Sequence, residues 1–150
     1  IQLGATTASY DAETEAIPSG QPIPAWSALW AERLTAKFTG EIEQIPPVFS
    51  AVRVDGKRAY AEARKGKEVE MPSRKVTIHE LKFLETKSNP WLVEVACSKG
   101  TYIRSLAHDF GTELGCGAYL SGLVRHRVGD FTLEESHSME EVLSALAVVS

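Results

Sequence analysis

Cys97-Ser98-Lys99-Gly100-Thr101-Tyr102-Ile103-Arg104 is the stretch on which the reading of this chain turns. A strand over Trp91–Cys97 ends here, Gly100 lets the backbone turn sharply, and a helix begins. Thr101 is placed to cap a helix over Tyr102–Leu114, and Gly115 closes it. Ile103, Leu106, Ala107, Phe110 and Leu114 share one face of that helix. Arg104 then lies in the first turn, where a fixed cation is unfavourable against the helix dipole. Such a placement calls for a carboxylate or phosphate partner. The alternative is a surface arginine pointing into water, and spacing alone leaves both open.

Upstream, strands over about Val76–Leu84 and Trp91–Cys97 flank the turn-forming Lys87-Ser88-Asn89-Pro90, which predicts a hairpin. Trp26, Leu29, Trp30, Leu34 and Phe38 recur at three- and four-residue intervals, so an amphipathic helix is expected to end near Gly40, with its tryptophans as core anchors. Ile1–Leu3 reads as the end of a strand, followed by a polar loop and the proline-bearing link Pro18, Pro22, Pro24. Glu41–Ile45 and Val48–Val54 read as strands around Pro46-Pro47, with Asp55-Gly56 as a turn. Lys57–Lys65 has the composition of a short helix stopped by Gly66. Downstream, Ala118–Val128 reads as a strand. Ser138 with Glu141 makes a capping box for a last helix through Val149. The fold class expected is α+β, mixed, with a mostly antiparallel sheet and flanking helices.

The chain has 150 residues, 43% of them hydrophobic and 24% charged. That excludes a disordered polar tail, a collagen-like repeat and a disulfide-built miniprotein. No apolar run approaches the roughly 20 residues that span a bilayer. Two cysteines, Cys97 and Cys116, fit no zinc-knuckle pattern and suggest a reducing, cytoplasmic setting. His79, His108, His126 and His137 have no metal-ligand spacing with them. His108 reads as a surface residue rather than a general base. No glycine-rich phosphate loop and no nucleophile elbow is present. The net charge of −4 hides an uneven distribution. From Arg53 to Lys75 there are eight basic and four acidic residues, a local +4 within a chain whose remainder carries −8. Such a stretch is the electrostatic footprint of a polyanion site, or else a solvated helix face with ion pairs.

Cys97 through Arg104, with Asp109-Phe110-Gly111 and Leu114-Gly115-Cys116-Gly117-Ala118, resembles the signature of the TruB family of tRNA pseudouridine synthases. So do Pro46-Pro47-Val48-Phe49-Ser50-Ala51-Val52 with Gly56-Lys57, Ala59-Tyr60, Ala63-Arg64 and Gly66. Leu3-Gly4-Ala5-Thr6-Thr7 with Asp11-Ala12-Glu13, and Leu123, Arg125 and Val128-Gly129-Asp130-Phe131, complete blocks that run in family order along nearly the whole chain.

The resemblance implies isomerisation of the T-loop uridine of tRNA to pseudouridine, without metal or cofactor. The uridine is flipped out, because its reacting atoms are hidden in the folded loop. An aspartate then attacks it, and the freed base is rejoined through carbon. By the same resemblance Arg104 pairs with that aspartate, and Tyr102 and Leu123 line the pocket around the flipped base. Without it, Leu123 would read as core. The segment from about 46 to 76 resembles the family's RNA-closing thumb, in which Lys57, Arg58, Arg64, Lys65 and Arg74 would meet phosphates and Tyr60 would stack or pack.

The family's nucleophilic aspartate and its base-stacking tyrosine lie upstream of the Leu3-Gly4 block, outside these residues. Asp11, Asp55, Asp109 and Asp130 map elsewhere. Ala8 and Val124 stand where many members carry an acidic residue and an arginine. With Ile1 in place of an initiator methionine, the expectation is the C-terminal portion of a catalytic domain, residues 1–150, with no appended RNA-binding domain. The intact protein is expected to be a monomeric, cytoplasmic enzyme acting on the T-arm, and the isolated chain to be inactive. The alternative is a non-catalytic tRNA-binding module; a structural interaction domain is the blandest reading.

Overall fold

The computed structural model describes residues 1–50, 53–54, 57–59 and 70–149, with backbone alone at 53–54, 57–58 and 148–149. Among these, the framework is an antiparallel sheet of β4 (Gly40–Gln44), β7 (Arg74–Glu85) and β8 (Leu92–Cys97), with β7 in the middle. Short antiparallel pairs join β1 (Gln2–Leu3) to β9 (Ala118–Tyr119) and β2 (Ala5–Thr6) to β3 (Ile17–Pro18). Two more pair β5 (Arg53–Val54) with β6 (Lys57–Arg58), and β10 (Arg127–Val128) with β11 (Phe131–Thr132). Helices α1 (Ala28–Phe38), α2 (Ile103–Leu114) and α3 (Met139–Val149) complete the α+β arrangement.

The expected β7–β8 hairpin forms, with a bulge between Ile78 and Glu80. It shifts the buried phase of β7: Val76 and Ile78 face inward before it, Leu81 and the partly buried Phe83 after it. The turn holds the chain's start in place. Asn89 Oδ1 accepts from the Leu3 amide at 2.9 Å, and Asn89 Nδ2 donates to the Leu3 carbonyl at 3.0 Å.

Helix α1 opens at Ser27, whose hydroxyl accepts from the Trp30 amide at 3.3 Å. Its inward row is Trp30, Leu34 and Phe38 at four-residue steps, with Trp26 just ahead of it. Leu29 lies off that row and is 72% exposed, so it is not part of the buried face that its spacing predicts. Trp26 meets Phe83 and Trp91, and Phe38 meets Phe110 of α2. Leu3, Ile78, Leu81, Leu106 and Phe110 join this one core. Glu113 of α2 pairs with Arg33 at 2.6 Å and also with Lys37, closing α1 onto α2 at the surface.

Four other expectations are corrected. Tyr102, not Thr101, is the N-cap of α2, and Thr101 Oγ1 turns back to donate to the Ser98 carbonyl at 2.9 Å. Residues 48–50 form a bend rather than a strand, and Lys57 and Arg58 lie in a strand rather than a helix. The strand expected over Ala118–Val128 stops at β9, because Ser121-Gly122 takes the chain out into solvent before β10. The last helix starts as expected: Ser138 N donates to Glu141 Oε2 at 2.7 Å and Glu141 N to Ser138 Oγ at 3.2 Å.

Candidate active site

The site is built where α2 begins. Its N-cap residue offers no side-chain hydrogen bond. The buried Gln44 side chain, at the end of β4, supplies the missing partners instead. Its Oε1 accepts from the Tyr102 amide at 3.0 Å and its Nε2 donates to the Tyr102 carbonyl at 3.2 Å. Ser105 Oγ donates to the Ile45 carbonyl at 2.7 Å. Together these bonds fix the direction in which the helix leaves the sheet, and so where Arg104 points.

Arg104 has the partner that its place in the first turn demands. Nη1 donates to Asp11 Oδ2 at 3.1 Å and to the Ser9 carbonyl at 3.2 Å, and Nη2 donates to the Phe49 carbonyl at 3.2 Å. One cation thus ties the 7–14 loop and the 48–50 bend to α2. Asp11 is equally committed: Oδ1 accepts from Ser9 Oγ at 2.6 Å and from the Glu13 amide at 3.0 Å. Burial alone would raise the Asp11 carboxyl. The Ser9 hydroxyl, the Glu13 amide and the Arg104 guanidinium more than offset it, and hold the carboxyl below its ordinary value. Asp11 is therefore ionised at neutral pH, with both oxygens engaged. It is arranged as an anchor for Arg104 rather than as a free nucleophile. A guanidinium carries five N–H groups, and three bonds to described residues leave Arg104 capacity for a further carboxylate or phosphate.

Above this pair opens a cleft of about 830 Å³, with Asp11 and Arg104 on one side, Phe49 and Ser50 on another, and Leu120 and Leu123 on a third. The volume is in the range of a small-molecule site. The 7–14 loop is rigidly made. Buried Thr7 donates to the Asp11 carbonyl at 2.7 Å, and buried Ser9 lies 2.9 Å from Thr14 Oγ1. Tyr10 at its apex has a φ of +63°, in the left-handed region that costs a tyrosine roughly 1–2 kcal/mol. Gly111 sets how closely α2 packs on β9. A Cβ there would stand 2.0 Å from the Ala118 nitrogen, so α2 can approach β9 this closely only without a side chain. Its carbonyl accepts from both the Cys116 and Gly117 amides, at 3.2 and 3.0 Å.

Of the residues singled out in the sequence, Arg104 and Leu123 come together at this cleft. Leu123 is 55% exposed on its rim rather than core. Tyr102 packs elsewhere, with Val48 against Ala59 and Met71. Lys57 and Arg58 lie in β6 and Arg74 opens β7. Tyr60, Arg64 and Lys65 lie outside the described residues. His108 is half-buried against Tyr10 rather than on the surface. Asp11, Gln44 and His108 are the site residues the sequence reading missed. No group of three His, Cys, Asp or Glu suited to a metal ion occurs among the described residues, and no described helix is long and apolar enough to cross a membrane.

Residues 1–103 match the profile of the TruB family pseudouridylate synthase N-terminal domain, and residues 104–150 that of the tRNA pseudouridylate synthase B C-terminal domain. The tRNA pseudouridine synthase B of Phocaeicola vulgatus is 50% identical over 140 residues, covering 93% of this chain and 59% of that protein. The Bacteroides fragilis protein of the same name is 51% identical over 135 residues, covering 90% of this chain and 58% of its own length. The chain thus spans less than three fifths of the length of either relative. A chain in the crystal structure of a Cbf5-Nop10-Gar1 complex superposes with a TM-score of 0.56 and 33% identity, over 75% of this chain and 29% of that one. With family profiles matching from end to end and half of the aligned residues shared with a named member, the chain belongs to the TruB family of pseudouridylate synthases.

Proposed function

We propose that these residues are the C-terminal portion of the catalytic domain of a tRNA pseudouridine synthase, which isomerises the T-loop uridine, with the thumb at about 46–76. The observation that carries the reading is Arg104, half-buried beside the cleft, anchored by Asp11 and still able to accept another anion. In this reading the uridine is flipped into the cleft. The unused donors of Arg104 hold the attacking carboxylate, supplied from upstream of these residues, ionised and aimed. Leu123 packs against the base from the rim. Tyr102 acts from behind, because its backbone, clamped by Gln44, sets the first turn that presents Arg104. Lys57, Arg58, Arg64, Lys65 and Arg74 meet phosphates of the T-arm, with Tyr60 stacking or packing in the thumb. The named relatives, tRNA pseudouridine synthases B of two species, support the substrate class.

The test is conversion of uridine in a T-arm RNA, read by mass shift after pseudouridine-specific labelling. Arg104→Ala in the full-length protein is expected to cut turnover by roughly 10²-fold or more, the scale of a misplaced reacting group. The 150-residue chain is expected to bind the RNA without converting it. Turnover by that chain, or wild-type turnover by the Arg104 variant, overturns the proposed roles.

A further inference from the structure

Arg104 and His108 stand four residues apart on α2, one turn along the same face. Both grip the same loop. Arg104 takes the Ser9 carbonyl and the Asp11 carboxylate. His108 takes the residue between them: its ring lies flat on Tyr10, with centroids 3.9 Å apart and planes 10° from parallel.

Tyr10 has a left-handed backbone that a tyrosine does not choose unaided. Two backbone bonds help to hold it, from the Tyr10 amide to the Thr7 carbonyl at 3.2 Å and from the Leu120 amide to the Tyr10 carbonyl at 2.9 Å. Neither fixes the side-chain direction, and the stack does. Return of Tyr10 to negative φ would swing the Ser9 carbonyl and the Asp11 carboxylate apart. A single guanidinium nitrogen binds both, so it would lose at least one.

His108 Nδ1 is buried with no hydrogen-bond partner among the described residues. The imidazole is thus held by its face rather than through that nitrogen. Burial lowers its pKa, so the stacking ring is neutral at pH 7. Burial is the one cause of that lowering, while the Tyr10 hydroxyl of the ring it stacks on is raised by burial and by the Asp109 charge.

We propose that His108 is a positioning residue: by stacking on Tyr10 it fixes the turn at residues 9–11 and so aims the Asp11 carboxylate at Arg104. The functional consequence rests on the proposed role of Arg104; the geometric one does not.

Carbon-13 NMR of the Asp11 carboxyl through an acid titration tests the geometry, with thermal unfolding recorded in parallel. His108→Ala is expected to move the Asp11 midpoint up toward the ordinary carboxylate range. His108→Phe keeps a flat ring, removes the orphan nitrogen, and is expected to retain the wild-type midpoint. Tyr10→Leu alters the loop and leaves the helix untouched, and is expected to behave as His108→Ala does; it carries the test should that variant fail to fold. In the full-length protein the Ala variant is expected to lose about tenfold in kcat with KM little changed, and the Phe variant to recover it. An Asp11 midpoint unmoved in either ring-removing variant, whatever happens to the melting temperature, overturns the proposal. So does a Phe variant that titrates like the Ala variant. Asp11 midpoints that respond as expected alongside a full-length protein that converts no uridine support the positioning role and sink the proposed function alone.

Discussion

Helix α2 buries six of its twelve residues, whereas every residue of α3 from Met139 to Ala147 is exposed. Their ends differ in the opposite sense. α3 begins with a complete capping box, and Glu140 and Glu141 lie in its first turn, where negative charge suits the dipole. α2 begins with no side-chain cap and with a cation in that turn. One helix is specified by neighbours three residues away. The other is specified by Gln44 and Asp11, 58 and 93 residues away in the chain. Where a helix must present a charged group to a cleft, tertiary partners replace local ones, and the helix start becomes part of the site.

The largest expected effect strikes α2 where it has no slack. Gly111→Ala puts a methyl 2.0 Å from the Ala118 nitrogen and forces α2 off β9, at a cost of about 3 kcal/mol or more, read from denaturant unfolding. A cost near zero would show that α2 is not pinned from behind, and the contrast with α3 would weaken.

Next comes Asp109, on the same helix. Burial pushes its carboxyl up to about 6, with Lys37 only partly offsetting. Its folded-state value lies above the unfolded one of 3.8, so the fold favours the protonated form. That contribution is fully present below pH 3.8 and lost as pH rises through about 6. Asp109→Asn is therefore expected to stabilise the protein at pH 7 by about 1 kcal/mol, once discounted for partial exposure, and to give no gain below pH 3.8. Melting temperatures at the two pH values check the sign.

The smallest effect belongs to α3. Ser138→Ala should cost about 1 kcal/mol of helix stability and reduce helical circular dichroism locally, with Asp11 and Arg104 unmoved. A shift in the Asp11 carboxyl resonance would show that α3 is not independent of the site.

The same division governs how much was legible in the sequence. Helices α1, α2 and α3, the β7–β8 hairpin and the capping box rest on spacings of two to four residues and appear where those spacings put them, whereas the helix expected from Lys57 on composition gives way to β6 at its start. From its place in the first turn, an anionic partner for Arg104 was one of two readings, a solvent-facing arginine being the other. That the partner is Asp11 was not legible, because no local rule connects residues 93 apart. Gln44 left a faint signal: it follows Ile42 on the inward register of β4, a polar side chain where an apolar one belongs. His108 left another, one helical turn from Arg104. The bulge was not expected, although the switch from Val76 and Ile78 to Leu81 and Phe83 carries its trace. The run from 118 to 128 reads as one strand by its apolar content, but Ser121-Gly122 breaks it. The thumb roles proposed for Tyr60, Arg64 and Lys65 rest on the family resemblance.

The Asp11–Arg104 pair also joins the two family profiles, which meet between residues 103 and 104. Each profile contributes one charge, and loss of either leaves the other partly buried and unmatched. Positions 11 and 104 therefore act as one unit across that boundary. Their substitutions are accordingly expected to be non-additive, the second costing less once the first has removed its partner.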